Sequence, residues 1–135
     1  MVFELSVEEL QFLDGNVCCR LSTSFRNKPH VVPVCCVFID GGFYISTEYD
    51  TKKLTNVKNN NFVSLVVDIH LPQNHKGIVI CGSVQLVEKG MLFQKICAIF
   101  FNKFDWAIND PWTECGSPFL KIQPNPKVIW GLNKT

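Results

Sequence analysis

Residues 42 to 53 read GFYISTEYDTKK, and this stretch decides how the rest of the chain is read. FYIST (43–47) is a run of β-favouring residues, whereas Asp50 or Thr51 offers a helix cap just beyond it. A helix begun there carries Lys52 and Lys53 in its first turn, where the positive end of the macrodipole disfavours cations. The same helix start offers unpaired backbone N–H groups. Together with hydroxyls at Ser46, Thr47 and Thr51 and ammonium groups at Lys52 and Lys53, they compose an anion site in which a bound phosphate makes the placement favourable. The competing reading is that both lysines are solvated and offset by Glu48 and Asp50. A Lys-Lys pair without a glycine-rich loop does not by itself decide between the two.

Working outward, NVCCRLSTSF (16–25), HVVPVCCVFI (30–39) and FYIST (43–47) are three strands, joined by turns at RNKP and DGG into a meander of hairpins. Ahead of them Ser6 and Glu9 form a capping box for a short helix that Gly15 stops. Downstream, residues 51–59 form a helix with Leu54 and Val57 facing inward, and NNNFVSLVVD (59–68) returns to strand. IHLPQNHK (69–76) reads as a loop, its Pro and Asn acting as breakers. GIVICGSVQLVE (77–88) is a long strand in which Gly82 marks a bulge or a close backbone approach.

Helical spacing returns in KGMLFQKICAIFFNKF (89–104), where Leu92, Ile96 and Ile99 form one stripe and Phe93, Cys97, Phe100, Phe101 and Phe104 widen it. A helix this apolar is expected to be buried on two sides. Residues 105–118 read as a loop, and FLKIQPNPKVIWGL (119–132) as one or two strands broken by Pro124 and Pro126. About six strands, three helices and mostly tight turns predict a mainly β, antiparallel barrel or sandwich with flanking helices. Strands apolar on both faces must cover their outer face with a second subunit or with a helix of the same chain.

With 135 residues, 47% of them hydrophobic, the chain suits one domain, taken as residues 1–135. Its 13 basic and 12 acidic residues leave a net charge of +1, so bulk electrostatics point to neither nucleic acid nor an anionic membrane. The longest apolar runs fall short of the roughly 20 residues of a membrane helix. MVFELSVEEL has no signal-peptide pattern, and a cytoplasmic protein is expected. The seven cysteines include no CxxC, and the pairs Cys18/Cys19 and Cys35/Cys36 lie on strands whose successive side chains diverge. They read as small buried hydrophobes in a reducing compartment.

His70 and His75 sit five apart and His30 opens a strand, a pattern with no metal-ligand spacing, so no metal is expected. G-x-S-x-G, G-x-G-x-x-G and G-x-x-x-x-G-K are all absent, which argues against a serine hydrolase, a dinucleotide fold and a P-loop enzyme. No side chain stands out as a general acid or base, and catalytic residues stay unassigned. Of Trp106, Trp112 and Trp130, the last two lie at loop or strand ends where an indole can border a pocket.

GFYISTEYDTKK (42–53), KNNNFVSLVVD (58–68) and FLKIQPNPKVIWG (119–131), in that order, resemble the pyridoxamine 5'-phosphate oxidase-like flavoproteins, the FMN-binding split barrels. The resemblance covers residues 15–88 and, more loosely, 119–132. It implies a six-stranded antiparallel split barrel of Greek-key type and a homodimer with two FMN molecules at the subunit interface. By that resemblance Ser46 and Thr47 meet the flavin and its phosphate tail, and Thr51, Lys52 and Lys53 hold the phosphate. Backbone groups at Val32 and Val34 line the isoalloxazine ring, and Trp130 approaches it from the partner subunit.

Members that oxidise pyridoxamine phosphate carry an Arg and a Lys where Val31 and Cys36 stand, a flavin-contacting Gln near Gly77 and a C-terminal Arg-x-His. None of these occurs here. The resemblance therefore implies an FMN-dependent oxidoreductase acting on a small molecule other than the B6 vitamer. The alternatives are a flavin or haem carrier on the same barrel, with His30, His70 and His75 as possible haem ligands, and a deazaflavin-dependent reductase.

Overall fold

The computed structural model describes residues 4–109 and 112–132, with backbone alone at 108 and 126–130. Helix α1 (Val7–Gly15) opens on the capping box: Glu9 N–H donates to Ser6 Oγ at 3.1 Å and Ser6 N–H to Glu9 Oε1 at 3.2 Å. Three strands follow, β1 (Cys18–Phe25), β2 (Lys28–Ile39) and β3 (Gly42–Ser46). Arg26 and Asn27 have φ of 53° and 61°, and Asp40 and Gly41 have φ of 49° and 82°. These are the left-handed pairs of two-residue hairpin turns, whose twist matches the flanking strands.

Helix α2 (Lys52–Asn59) carries the chain to β4 (Phe62–Leu71), β5 (Asn74–Val87), α3 (Gly90–Lys103) and β6 (Phe119–Trp130). All pairings are antiparallel, and the ring runs β1-β2-β3-β6-β5-β4 before β4 closes on β1. The six-stranded barrel expected from the pattern is therefore the architecture. Its interior is filled from every strand, with Leu21, Cys36, Phe43, Ile45, Leu65, Ile80 and Leu120 all buried.

Strands β2 and β3 are apolar on both faces because α3 covers their outside. Val37, Tyr44 and Phe119 on the sheet meet Phe93, Ile96, Phe100 and Phe104 in a second core. Of the two covers considered, the chain supplies the intramolecular one. Burial of α3 on two sides does not follow: Phe93, Ile96 and Phe100 are buried against the sheet and Trp112, but Leu92 is 38% and Met91 88% exposed.

Three other expectations are corrected. Residues 69–76 are strand: β4 and β5 run to Leu71 and Asn74, leaving only Pro72 and Gln73 in the turn, and His70 and His75 are cross-strand partners. Pro72 sits on the turn itself and Asn74 opens β5, so neither ends a strand earlier. Residues 119–130 are one strand rather than a broken one: β5 pairs with it from Phe119 to Trp130, β3 reaches only 119–122 of it, and a bulge between Ile80 and Gly82 absorbs the irregularity opposite Pro124. Finally, only Cys19 and Cys36 are fully buried, whereas Cys18, Cys81 and Cys115 are exposed, because strand alternation puts one member of each Cys-Cys pair outside. Residues 105–118 contain one short 3-10 helix, Asp105–Ile108.

Candidate functional site

The site is assembled where β3 ends and α2 begins. Helix α2 plugs one end of the barrel with Leu54 and Val57, and buried Asn56 donates to buried Thr23 Oγ1 of β1 at 3.0 Å. Asn60 Nδ2 reaches Ser24 Oγ at 3.2 Å. The loop before the helix is tied down by the Tyr49 hydroxyl, which donates to the Glu88 carboxylate; that bond pushes the phenol up to about 12. The N-terminus of α2 is thus held by both ends of its approach.

Thr51 is the N-cap, yet its side chain makes no bond to the first turn, which holds no acidic residue. Its hydroxyl donates instead to Glu48 C=O at 2.8 Å, so in the Thr47–Thr51 hydroxyl pair at 3.1 Å the proton comes from Thr47. Without a side-chain acceptor of its own, the helix start keeps its N–H groups and partial positive charge turned outward. A cavity of about 200 Å³ opens there, lined by Ser46, Thr47, Glu48, Thr51, Lys53, Trp106, Trp112 and Ser117. Burial pulls the Lys53 ammonium below the usual lysine range, with Glu48 partly offsetting it. A half-buried cation short of compensation is the partner a phosphate requires.

Ser46, Thr47, Thr51 and Lys53 are therefore brought together, while Lys52 is exposed and outside the cavity lining. Trp112 borders the cavity as expected. Trp106, 45% exposed, and Ser117 also line it, and their position in the segment between α3 and β6 left no periodic signal. Residues 69–76 contribute nothing to the lining. The side chain of Trp130 lies outside the described residues; its backbone pairs with Gly77.

Register locates a second element beside the cavity. Pairing of β2 with β3 begins at Cys36↔Ile45, so the stretch of β2 before Cys36 overhangs the end of β3 from which the chain leaves for α2. This overhang pairs with β1 alone among the described residues. Cys36 N–H donates to Val17 C=O at 2.8 Å, and alternation along the ladder turns the main-chain groups of Val32 and Val34 toward β1 as well. Those of Pro29, Val31, Pro33 and Cys35 face the open edge. Proline belongs at two of these positions, since it has no N–H to leave unpaired.

Val31 is 64% exposed and Cys36 is buried in the barrel, so the open edge carries no cationic side chain at either position. His30 has a buried Nδ1 without a hydrogen-bond partner among the described residues. None of the three histidines lines the cavity. Among the described residues no three His, Cys, Asp or Glu side chains converge on one point, and no helix is long and apolar enough to cross a membrane.

A six-stranded antiparallel barrel with a helix start at its mouth places the chain in the split-barrel class of domains. Residues 6–129 match the family described as Pyridoxamine 5'-phosphate oxidase, and the chain belongs to that family. No curated protein is matched by the sequence. Among solved structures, the heme storage protein HutZ from Vibrio cholerae is 15% identical with a TM-score of 0.76, covering 90% of each chain. A FAD-binding protein from Mesorhizobium loti is 23% identical with a TM-score of 0.69, covering 91% of this chain and 92% of its own. The General Stress Protein 26 from Bacillus anthracis is 20% identical, also at 0.69, with 91% of both chains covered. At these identities the likeness is one of fold.

Proposed function

We propose that the protein binds FMN, its phosphate held at the N-terminus of α2 by the first-turn main-chain N–H groups and Lys53, with Ser46, Thr47 and Thr51 beside them. The isoalloxazine ring would run along the open edge of β2. The observation that carries this reading is the uncapped start of α2, facing a cavity that contains a half-buried lysine and four hydroxyls. The open edge begins opposite Ser46, at the mouth of that cavity. A planar ring with acceptors and an imide N–H matches the free groups of Val31 and Cys35.

Bound there, the flavin supplies hydride acceptance and donation, and the protein's part is to hold the phosphate, orient the ring and place a small substrate against it. The activity is thus that of a flavin-dependent oxidoreductase, with the FAD-binding neighbour supporting a flavin in this fold. A homodimer completes the site: the ring on an open strand edge needs a cover, and Val31 and Phe62 are exposed at 64% and 69% on the barrel exterior. The cytoplasm suits the seven free cysteines. The haem alternative, for which HutZ is a neighbour of the same fold, draws no support from a histidine at the cavity.

The test is titration of FMN into the purified protein, followed by flavin absorbance and fluorescence, with mass spectrometry of any cofactor released on denaturation. Saturable quenching with a shifted flavin spectrum supports the reading. A colourless protein that leaves FMN fluorescence unchanged at micromolar flavin sinks it.

A further inference from the structure

Four of the seven cysteines meet on the β1–β2 ladder, and their positions are unequal. Cys19 and Cys36 face the barrel interior, where the neighbouring Cys36 side chain, and after it burial, raises the Cys19 thiol far above its ordinary range. Cys18 and Cys35 are direct partners on the outer face, one exposed and one half-buried. Because Cys36 N–H donates to Val17 C=O, the pair one step along, Cys18 and Cys35, is a non-hydrogen-bonded pair. Such pairs bring their Cα atoms to about 4.5 Å, inside the range of about 4.4–6.8 Å that a disulfide spans. Neither residue must leave the ladder for the bond to form.

We propose that Cys18 and Cys35 are a modification site: a dithiol that low-molecular-weight disulfides oxidise reversibly to a cross-strand disulfide. In the first step the exposed Cys18 thiolate attacks the disulfide RSSR, forming Cys18–S–S–R and expelling one thiolate RS⁻. The Cys35 thiolate then attacks the Cys18 sulfur and expels the second RS⁻. The two thiol protons pass to solvent, the protein loses two electrons, and RSSR is reduced to two thiols. Burial and the neighbouring Cys18 raise the Cys35 pKa, which makes it the slower, resolving partner. Cys35 is also the residue before β2 turns to pair with β3, so the bond pins the strand where its open edge begins. The buried Cys19 and Cys36 take no part. This inference stands apart from flavin binding and survives if that fails.

The experiment treats the reduced full-length protein with glutathione disulfide and then blocks remaining thiols with N-ethylmaleimide under denaturation. Intact mass and a non-reducing peptide map are the readouts. The expected product has lost the two thiol hydrogens, carries a Cys18–Cys35 linked peptide and returns to the free dithiol with dithiothreitol. Cys35→Ser should stop at the glutathione adduct of Cys18, and Cys81→Ser with Cys115→Ser should still form the link. A stable glutathione adduct on Cys18 of the unsubstituted protein overturns the proposal. So does a link made through Cys81 or Cys115, or Cys18 joined to Cys18 of a second chain.

Discussion

Replacing Lys53 by Met keeps most of the side chain's length and apolar stem and removes its charge, which isolates what the ammonium does at the cavity. Lys53 lines the cavity and is half-buried; Lys52, one residue earlier on the same helix turn, is exposed and does not. A hydrogen bond to a charged group is worth about 1.5–3 kcal/mol. Lys53 keeps some exposure, so the lower end applies, and about 1.5 kcal/mol is roughly a tenfold rise in the FMN dissociation constant. For Lys52→Met the change expected of an exposed, screened charge is below about fivefold. Flavin fluorescence titration at fixed ionic strength measures both, with thermal unfolding as the check on folding. Loss of the partly desolvated Lys53 charge should leave the free protein at least as stable, because burial works against that cation. Equal effects at the two positions, or a larger one at Lys52, would refute the assignment of the phosphate grip.

The remaining predictions concern pH, packing and assembly. With its folded pKa lowered, Lys53 loses its proton earlier in the free folded protein than in the unfolded chain, so the stability of the free protein rises as pH climbs through that window. A bound phosphate raises the same pKa, so FMN affinity falls as pH climbs toward the ordinary lysine range, and the Lys53→Met profile should be flat there. A Cβ at Gly82 would lie 2.3 Å from the Gln123 carbonyl oxygen, a backbone atom that cannot step aside. Gly82→Ala should cost about 3 kcal/mol, a Tm fall of roughly 10 °C by calorimetry, whereas Gly15→Ala, with nothing within 4 Å, should cost nothing measurable. Sedimentation equilibrium should give twice the monomer mass at micromolar concentration, and a monomer there contradicts the shared site.

What could be read from the chain was what local chemistry controls. Asn27 and the Asp40–Gly41 pair tolerate left-handed φ, so both hairpins were legible, and Gly82 announced a backbone approach that the bulge and the Gln123 carbonyl explain. The start of α2 was legible because its cations stood at the wrong end of the macrodipole. What escaped depended on partners distant in sequence. His70 and His75 look like loop residues until Ile69, packed on the core, shows that the hairpin continues to Pro72. Pro124 and Pro126 look like strand breakers until β6 is seen to pair with β5 alone beyond Ile122. Trp106 reaches the cavity only through the packing of the α3–β6 segment, against Phe104 and Trp112. The direct opposition of Cys18 and Cys35 is a matter of register, which the turn length fixes and the cysteine spacing does not reveal.

The central claim is that the α2 start grips the phosphate of a flavin, and comparison of FMN with riboflavin tests it most directly, because the two differ only in that group. The account predicts saturable FMN binding and riboflavin binding weaker by at least about tenfold, the same interval that Lys53→Met should largely close. Equal affinity for the two, or no binding of FMN, would contradict it.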